Sequence, residues 1–387
     1  MFNRRRLVRY LVPNEIDPIS VQQRAVTESQ LTEISTKASP RPKLNSRDRQ
    51  VLDSLFAIDT RALAIVRIGL AAILLYEAFF IVLPQPRTAP GLGGFAADYA
   101  GVLIIPFAAM LLVGYRTRLA TVISWLLYSI PIRSDLFTSD VNVDLGNYLL
   151  ALFLFWGMFL PLGANLSSDA RRNNTSKPVR FLSIGSAAVL IQVFIIYFSA
   201  GVTKDMGEWV SEATALETVL GIPRFSTELG QSLIQFPAIL AFLSVATITL
   251  EIIGTVLLFV PGRTLASRRT IITTAFVGFH IGIAVLMGIG IFPYVMMFVW
   301  LVFLPTSVWD RLFRRNTLQT TPIEVVVDTN RWRNVTAVAA LGFIVVSNAI
   351  TWLYYPAESG FPAAWQTVGR YLLLYQQWAM FSVPSSL

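Results

Sequence analysis

Apolar stretches long enough to cross a lipid bilayer recur along this chain, and they constrain its fold more than any other feature. A run of about 18 or more mainly apolar residues can span the hydrocarbon core of a membrane, which is about 30 Å thick. Inside that core the backbone must satisfy its own hydrogen bonds, so such runs are expected to be helical. Of the 387 residues, 54% are hydrophobic and only 14% are charged. We therefore predict an all-α polytopic membrane protein.

Hydropathy predicts about nine transmembrane helices, of which the third and the eighth are short. The seventh and eighth meet at "GIGIFPY", a Gly/Pro stretch typical of a tight hairpin. The predicted spans are Ala62–Leu83, Ala97–Gly114, Leu119–Ile132, Gly146–Gly163, Phe181–Thr203, Pro237–Val260, Thr270–Gly290, Ile291–Pro305 and Val335–Tyr355.

Lysine and arginine predict the orientation of these spans. With the N-terminus in the cytoplasm, 25 of the 31 basic residues lie in inside segments, five lie in outside segments, and Arg67 lies within a span. Cytoplasmic loops of membrane proteins carry such an excess of positive charge. We therefore expect a multi-pass protein of a cell membrane whose N-terminus is cytoplasmic and whose C-terminus is outside.

The same pattern predicts three regions. Residues 1–61 are basic and then polar, which indicates a partly disordered cytoplasmic segment; a short amphipathic helix near Arg47–Ile58 is the alternative. Residues 62–355 form the transmembrane domain, whose external loop 204–236 carries five acids and two bases and could fold as a cap. Residues 356–387 form an extracytoplasmic tail, and the aromatic residues of "YLLLYQQWAMFSVP" predict an interfacial helix there.

Composition excludes several classes of site. The chain has no cysteine and only one histidine, His280, so thiolate metal sites, disulfides and bis-histidine haem are excluded, and we predict no metal. Neither of the glycine-rich phosphate-binding motifs GxGxxG and GxxxxGK[ST] occurs. The net charge of +8 is explained by the basic cytoplasmic loops, so we expect no nucleic acid partner.

Four ionisable residues fall within predicted spans, and such residues are candidates for function because they are costly to bury. Arg67 and Glu251 could simply pair and lock two helices together. His280 could be a neutral histidine bonded to a backbone carbonyl, and Glu77 could be hydrogen-bonded in an interfacial pocket. The alternative is a polar cavity open to the outer face, with Lys204 and Glu77 near its mouth and His280 and Glu251 deeper.

Lys204 follows the fifth span in the stretch "YFSAGVTKDMGEWV", residues 197–210. Its side chain could snorkel to water. However, Tyr197, Ala200, Gly201 and Lys204 share one helix face by their spacing, and the small residues on that face allow another helix or a ligand to approach closely. A lysine in such a poorly hydrated position could be neutral and act as a general base.

The chain resembles the membrane domain shared by vitamin K-dependent γ-glutamyl carboxylase and its bacterial relatives, the HTTM domain, from about residue 55 onwards. The likeness lies in the order of "LAIVRIGLAAILL", "LFLFWGMFLPLGANLSSD", "YFSAGVTKDMGEWV", "TLEIIG", "FHIGIAVLMGIGIFPYVM" and "YQQWAMFSVP". The carboxylase has a histidine just before the fourth span, where this chain has Gly146 or a neighbour. The resemblance implies a bacterial inner or plasma membrane protein.

In the carboxylase, the segment matching "YFSAGVTKDMGEWV" bears the catalytic lysine, so the resemblance implies that Lys204 is the base that deprotonates a reduced quinone of the vitamin K type. In the carboxylase, reaction of the deprotonated quinol with oxygen gives a base strong enough to remove a proton from a glutamate side chain, and the carbanion takes up carbon dioxide. The quinol chemistry is expected to be shared more closely than the carboxylation. Our candidates for substrate or quinone binding are Tyr197, Trp209, Arg67, Glu251 and His280. Membrane lipid, a lipid-soluble quinone and a secreted peptide are the expected partners.

Two other functions are consistent with the residues. The chain could be a non-enzymatic membrane factor for maturation or export of a secreted peptide, with loop 204–236 and the C-terminal helix as its docking surface. A transporter is the third possibility, but the inverted repeats typical of transporters are not visible. The stretch "FPYVMMFVWLVF" suggests a quinone pocket, although at helical spacing these residues are more typical of a core or of a lipid-facing surface.

Overall fold

The computed structural model describes most of the chain outside its two ends. The described residues are 45–82, 92–137, 145–173, 180–313 and 325–354, together with 365, 367–369 and 374. The chain divides into two compact units, Met1–Arg49 and Gln50–Leu387. Most of the predicted cytoplasmic segment 1–61 and most of the predicted tail 356–387, including its interfacial helix, therefore lie outside the described residues.

The described chain is mainly helical, and each of the nine predicted spans overlaps one of its helices. The helices are α1 Ser46–Phe56, α2 Thr60–Tyr76, α3 Leu92–Val113, α4 Thr117–Phe137, α5 Leu145–Gly157, α6 Ser168–Arg172, α7 Ile184–Val202, α8 Ala215–Leu220, α9 Glu228–Leu233, α10 Pro237–Leu257, α11 Leu265–Leu286, α12 Phe292–Trp300, α13 Thr306–Leu312 and α14 Arg331–Tyr354. Helix α1 agrees with the alternative of a short helix in the N-terminal segment.

Five of these helices are long and apolar enough to cross a bilayer, namely α2, α7, α10, α11 and α14. A sixth candidate span results if Phe292–Phe303 and α13, which are bent by 108° relative to one another, are taken together. Helix α5 and the part of α3 from Tyr99 to Val113 are apolar but shorter. The protein is thus a helical protein with five or six candidate spans in its described part.

In the part of the chain that the structure describes, three segments have π-helical geometry, which the sequence did not predict. They are Glu77–Val82, which continues α2, Gly207–Ser211, and Leu250–Gly254 within α10. A π-turn widens the helix and is frequently found at functional sites. The last of the three contains Glu251, and the second contains Trp209.

A small sheet shows that the prediction of an all-α fold is incomplete. Strand β2, Arg180–Leu182, pairs antiparallel with β1, Ile58–Asp59, and parallel with β3, Val325–Val327. Because β1 leads directly into α2 and β2 into α7, both helices begin at this sheet. Asp59 and Ser183 cap the two helices with their side chains.

Charged side chains tie further elements to the same end of the bundle. Arg61 donates hydrogen bonds to Asp59 and Asp310, at 2.8 Å in each case, and so links β1 and α2 to α13. Arg269, near the start of α11, donates to the backbone carbonyls of Ser54 and Leu55 at the end of α1. Helices α2, α7 and α11 therefore all begin at the end of the bundle that holds the sheet, which we call the sheet end.

Helix α12 belongs to the core. Phe292, Met296 and Trp300 are buried, and the Trp300 ring stacks on Phe276 of α11 with 3.7 Å between ring centroids. This confirms the core interpretation of "FPYVMMFVWLVF". A Cβ atom on Gly146 would lie 2.5 Å from the backbone nitrogen of Phe292, so α5 meets the start of α12 where only a glycine fits without rearrangement.

The loop 204–236 is folded, as its composition predicted. Besides α8 and α9, it pairs Ser226 with Met287 in an isolated β-bridge. The backbone N–H of Thr227 donates to the carbonyl of Leu286 at 3.0 Å. A Cβ on Gly230 would lie 2.1 Å from the same carbonyl oxygen. The loop, which we call the cap, is thus attached to the end of α11.

Candidate functional site

Lys204 lies just beyond the end of α7 and is buried, with 1% of its side chain exposed. Its Nζ donates to Oε2 of Glu251 at 2.7 Å and to the carbonyl oxygen of Ala200 at 3.3 Å. The Glu251 side chain is 3% exposed. The alternative in which Lys204 extends to water is therefore wrong, and a buried ion pair joins α7 to α10.

Small residues on α7 allow this contact to form. A Cβ atom on Gly201 would lie 2.6 Å from Cγ1 of Ile252 and 3.2 Å from Cβ of Glu251. Helix α10 therefore approaches α7 at the glycine of the predicted face, and it does so with its π-helical segment. The widened turn and the missing side chain together bring the carboxylate within reach of the amine.

The indole ring of Trp209 also lies close to the Lys204 amine. Its ring centroid is 4.8 Å from Nζ of Lys204, and only 2% of the residue is exposed. A cation over an indole ring at this distance is attracted by the ring electrons. The indole N–H of Trp209 and Oε2 of Glu208 are buried and have no hydrogen-bond partner among the described residues. Trp209 therefore has a free donor next to the ion pair, and the preceding residue, Glu208, has a free acceptor.

Tyr197 and His280 form a second buried polar pair. The Tyr197 hydroxyl lies 2.6 Å from Nε2 of His280, and Nδ1 of the histidine lies 2.7 Å from the carbonyl oxygen of Phe276. Since a carbonyl only accepts, Nδ1 carries the proton, and Nε2 of the neutral ring accepts from the tyrosine hydroxyl. Both residues are fully buried, so the expected bond between His280 and a backbone carbonyl is present.

The two pairs lie on the same face of α7. Tyr197 precedes Lys204 by seven residues, two helical turns, which corresponds to about 10 Å along the helix axis. The structure therefore brings Lys204, Glu251, Tyr197 and His280 together in two successive layers, which we call the polar column. Glu251 lies level with Lys204, so the expectation that Glu251 is deeper than the lysine is wrong.

Arg67 is not part of the polar column. It is fully buried in α2, and every acceptor of its guanidinium among the described residues is a backbone carbonyl. The acceptors are Leu111, Leu112, Leu162 and Leu166, at 2.6 to 3.1 Å. The proposed pairing of Arg67 with Glu251 is therefore wrong. Counted from the sheet end, Arg67 lies about 10 Å along α2, whereas Lys204 lies about 30 Å along α7.

Comparison with known proteins gives one match. A family model described as the HTTM domain matches residues 92–309, more than half of the chain. The chain belongs to the HTTM domain family. No curated protein and no solved structure matches it.

The HTTM domain implies a membrane domain related to that of the carboxylase, and together with the apolar helices it identifies the chain as a membrane protein. The matched range contains the whole polar column and Trp209, whereas Arg67 precedes it. The bond between Tyr197 and His280 thus lies within the HTTM domain, as does the ion pair.

Sequence reasoning missed several residues that position the polar column. The rings of Phe276 and Trp300 lie 4.7 and 5.2 Å from the Tyr197 ring. Two residues after Tyr197 on α7, Ser199 accepts a hydrogen bond at 3.0 Å from the indole of Trp352 and donates to Asn348 of α14. Their apolar or weakly polar character gave no sign of this arrangement. Glu208 was visible only as one of several acids in the cap.

Proposed function

We propose that this protein is a quinol-dependent, carboxylase-like membrane enzyme in which Lys204 is the general base. The observation that carries the proposal is the burial of the Lys204 amine against Glu251, at 2.7 Å, inside an HTTM domain. A lysine exposed to water would be charged and inert as a base at neutral pH. A lysine that is excluded from water and lies beside a carboxylate can become neutral by giving its proton to that carboxylate.

The ion pair allows this proton transfer because one proton can reside on either Lys204 or Glu251. If the proton leaves Nζ of Lys204 for Oε2 of Glu251, a neutral amine faces a neutral carboxylic acid, and the pair carries no net charge before or after. The lone pair on Nζ can then accept a proton from an acidic hydroxyl group of a substrate.

Trp209, which contacts the amine, and its neighbour in sequence, Glu208, suit a reduced quinone. Trp209 offers an aromatic face and a free indole N–H, and Glu208 offers a free carboxylate oxygen. A donor, an acceptor and an aromatic surface are what a flat ring with two hydroxyl groups requires. When bound, a reduced quinone would supply an acidic hydroxyl group and the reducing equivalents for reaction with oxygen. Lys204 would take the hydroxyl proton at Nζ.

The proposal includes the predicted topology. Nine spans, a cytoplasmic N-terminus and an outside C-terminus put the start of α7 on the inside and Lys204 at the outer side of a bacterial inner or plasma membrane. The overlap of every predicted span with a helix supports this arrangement. In it, the cap covers the outer side of the polar column, where a secreted peptide and a quinone in the lipid would both have access.

The test is quinol oxidation by the purified protein in lipid nanodiscs, with Lys204→Gln/Glu251→Gln as the decisive variant. Two amides can still form a hydrogen bond, so the double variant keeps the contact between α7 and α10 without a buried charge. Loss of a general base typically lowers the rate by about 10²–10⁴-fold. Activity equal to that of wild type in a folded double variant would refute the role of Lys204.

A matched control is Arg224→Gln, which removes another basic residue of the cap, one that lies over Phe225 rather than at the ion pair. It should leave quinol oxidation unchanged. Mass spectrometry of the protein purified from native membranes should identify a co-purifying quinone in wild type. Substitution of Trp209 by leucine should reduce that quinone relative to protein.

The second candidate is a non-enzymatic factor for maturation or export of a secreted peptide, and the cap favours it. The cap exposes Leu229 and Phe225 beside the exposed acids Glu212, Glu217 and Glu228. Such a surface fits a basic peptide with apolar side chains. Replacing the three acids by lysine should abolish co-purification of that peptide, whereas the Lys204→Gln/Glu251→Gln variant should retain it.

A further inference from the structure

A cavity of about 590 Å³ opens near the sheet end, away from the polar column. Its walls come from the turn between α3 and α4 and from the segment between α5 and α6. Three arginines and one acid line it, together with apolar side chains at its border. They include Arg116, Arg118, Arg172, Asp169 and Leu119.

The positive charge of this cavity exceeds its negative charge. The carboxylate of Asp169 already accepts hydrogen bonds from the opposite wall, namely from the backbone N–H groups of Arg116 and Thr117 and from the Thr117 hydroxyl, at 2.8 to 2.9 Å. Its contact with Arg172 is long, at 3.9 Å. Within the described part of the chain, the guanidinium groups of Arg116 and Arg118 form no ion pair.

Two of the guanidinium groups flank one aromatic ring. The Cζ atoms of Arg116 and Arg172 lie 5.8 and 6.0 Å from the ring centroid of Tyr115. They come from different walls of the cavity, since Arg116 precedes α4 and Arg172 ends α6. Both guanidinium groups therefore lie near Tyr115, and no carboxylate of the described residues forms an ion pair with both of them.

The walls of the cavity are held in place by Arg67 and Gly114, which do not line it. Arg67 donates to carbonyls in both walls, Leu111 at the end of α3 and Leu162 after α5. Gly114 has a φ of +69°, and a Cβ there would lie 2.3 Å from Cβ of Ser167 in the opposite wall. The cavity is therefore preformed rather than a gap between mobile loops.

The border of the cavity is apolar on the side of α4. Leu119, in the first turn of that helix, has 46% of its surface exposed next to the arginines. An apolar helix begins here, so a ligand with a charged head in the cavity would have its tail along α4. Basic pockets between the ends of membrane helices bind anionic lipid head groups in this way.

We infer that this cavity binds the phosphate group of an anionic membrane phospholipid. Arginine presents a planar fork of donors that matches phosphate oxygens, and charge-assisted bonds of this kind are among the strongest polar contacts. Arg116 and Arg172 approach the phosphate from two walls, and Arg118 is the third donor. The site is separate from the quinol chemistry proposed for Lys204.

The experiment measures binding of dioleoylphosphatidylglycerol to the purified, delipidated full-length protein by native mass spectrometry. Dioleoylphosphatidylcholine is the zwitterionic comparison, and inorganic phosphate is the competitor. Wild type should retain the anionic lipid in preference to the zwitterionic one. The Arg116→Gln/Arg118→Gln variant should bind it at least about tenfold more weakly, as expected for loss of charge-assisted bonds.

The matched control is Arg171→Gln, which removes an exposed arginine adjacent to Arg172 that does not line the cavity. It should bind the lipid like wild type, and an equal thermal midpoint in all three proteins shows that they are folded. Equal binding of both lipids, or an equal loss in the control, would overturn the inference. Full displacement of the lipid by millimolar phosphate would assign the site to free phosphate instead.

Discussion

Lys204 and Glu251 lie 47 positions apart in the sequence, on helices α7 and α10, and form a buried ion pair with 2.7 Å between Nζ and Oε2. Neither side chain has an appreciable exposed surface. Each charge is therefore tolerated only because the other is present, and the pair determines how closely the two helices pack. Stability and the proposed chemistry thus depend on the same contact.

The first prediction concerns this pair. Lys204→Met or Glu251→Leu alone should lower the free energy of unfolding by about 3–5 kcal/mol, because each leaves a buried group without its partner. The double variant Lys204→Met/Glu251→Leu should be clearly more stable than either single variant. The measurement is thermal unfolding of the purified proteins in one detergent. Losses that simply add would show that the two side chains are not coupled.

The second prediction concerns the contact at Gly201. Gly201→Ala would bring a Cβ to 2.6 Å from Ile252, so α10 must move away from α7. Overpacking of this kind costs about 1–3 kcal/mol. Gly282→Ala in α11 is the control, since nothing lies within 4 Å of its added Cβ. Its thermal midpoint should match or exceed that of wild type, and a comparable loss in both variants would contradict the prediction.

The third prediction concerns Arg67. Arg67→Met should destabilise the protein because it leaves buried carbonyl oxygens of two segments without a donor, each at about 1–3 kcal/mol. Arg67→Lys should also destabilise it, because an ammonium group lacks the planar fork that bonds several carbonyls at once. Thermal midpoints of the two variants are compared with that of Arg171→Gln. A stable Arg67→Met protein would show that the carbonyls find other partners.

The fourth prediction concerns the pH dependence of stability through Asp169. Burial alone would raise the pKa of this carboxyl, but the hydrogen bonds from Thr117 and Arg116 and the charge of Arg172 outweigh burial and hold its pKa below the usual value. Asp169 therefore stabilises the folded protein at neutral pH. That contribution is lost as the pH falls from the unfolded-state pKa, about 3.9, through the lower folded-state value.

Thermal midpoints measured from pH 7 to pH 3 check this prediction. Asp169→Asn should be less stable than wild type at pH 7, and the difference should shrink as the pH falls below about 4, where the carboxyl of the unfolded state becomes protonated before that of the folded state. Thr117→Val removes one of the three hydrogen bonds and should show a smaller difference at pH 7. A difference that is constant over the whole range would exclude the titration of Asp169 as its cause.

The positions of the helices could be predicted from the sequence because membrane helices carry a long apolar signal. The sheet could not, since β1 has two residues and β2 has three, too few to show an alternating pattern. Its pairing also joins residues far apart in the chain. The π-helical segments were equally invisible, because one extra residue per turn barely alters the apolar pattern.

The members of the polar column could be predicted individually, but their pairing could not. Counting residues from the helix ends assumes that neighbouring helices end at the same level. Helix α10 begins at Pro237, 14 residues before Glu251, which is about 21 Å along its axis. The cap places the beginning of α10 beyond the end of α7. Glu251 therefore contacts Lys204 rather than Arg67.

The small sheet also has a consequence for biosynthesis. Its middle strand can pair with Ile58–Asp59 early, but its last strand, Val325–Val327, is translated only after the cap and α10 to α13. Most helices must therefore enter the bilayer before the sheet is complete. The parallel strand β3 therefore pairs with β2 last, after most of the helices have been inserted into the bilayer.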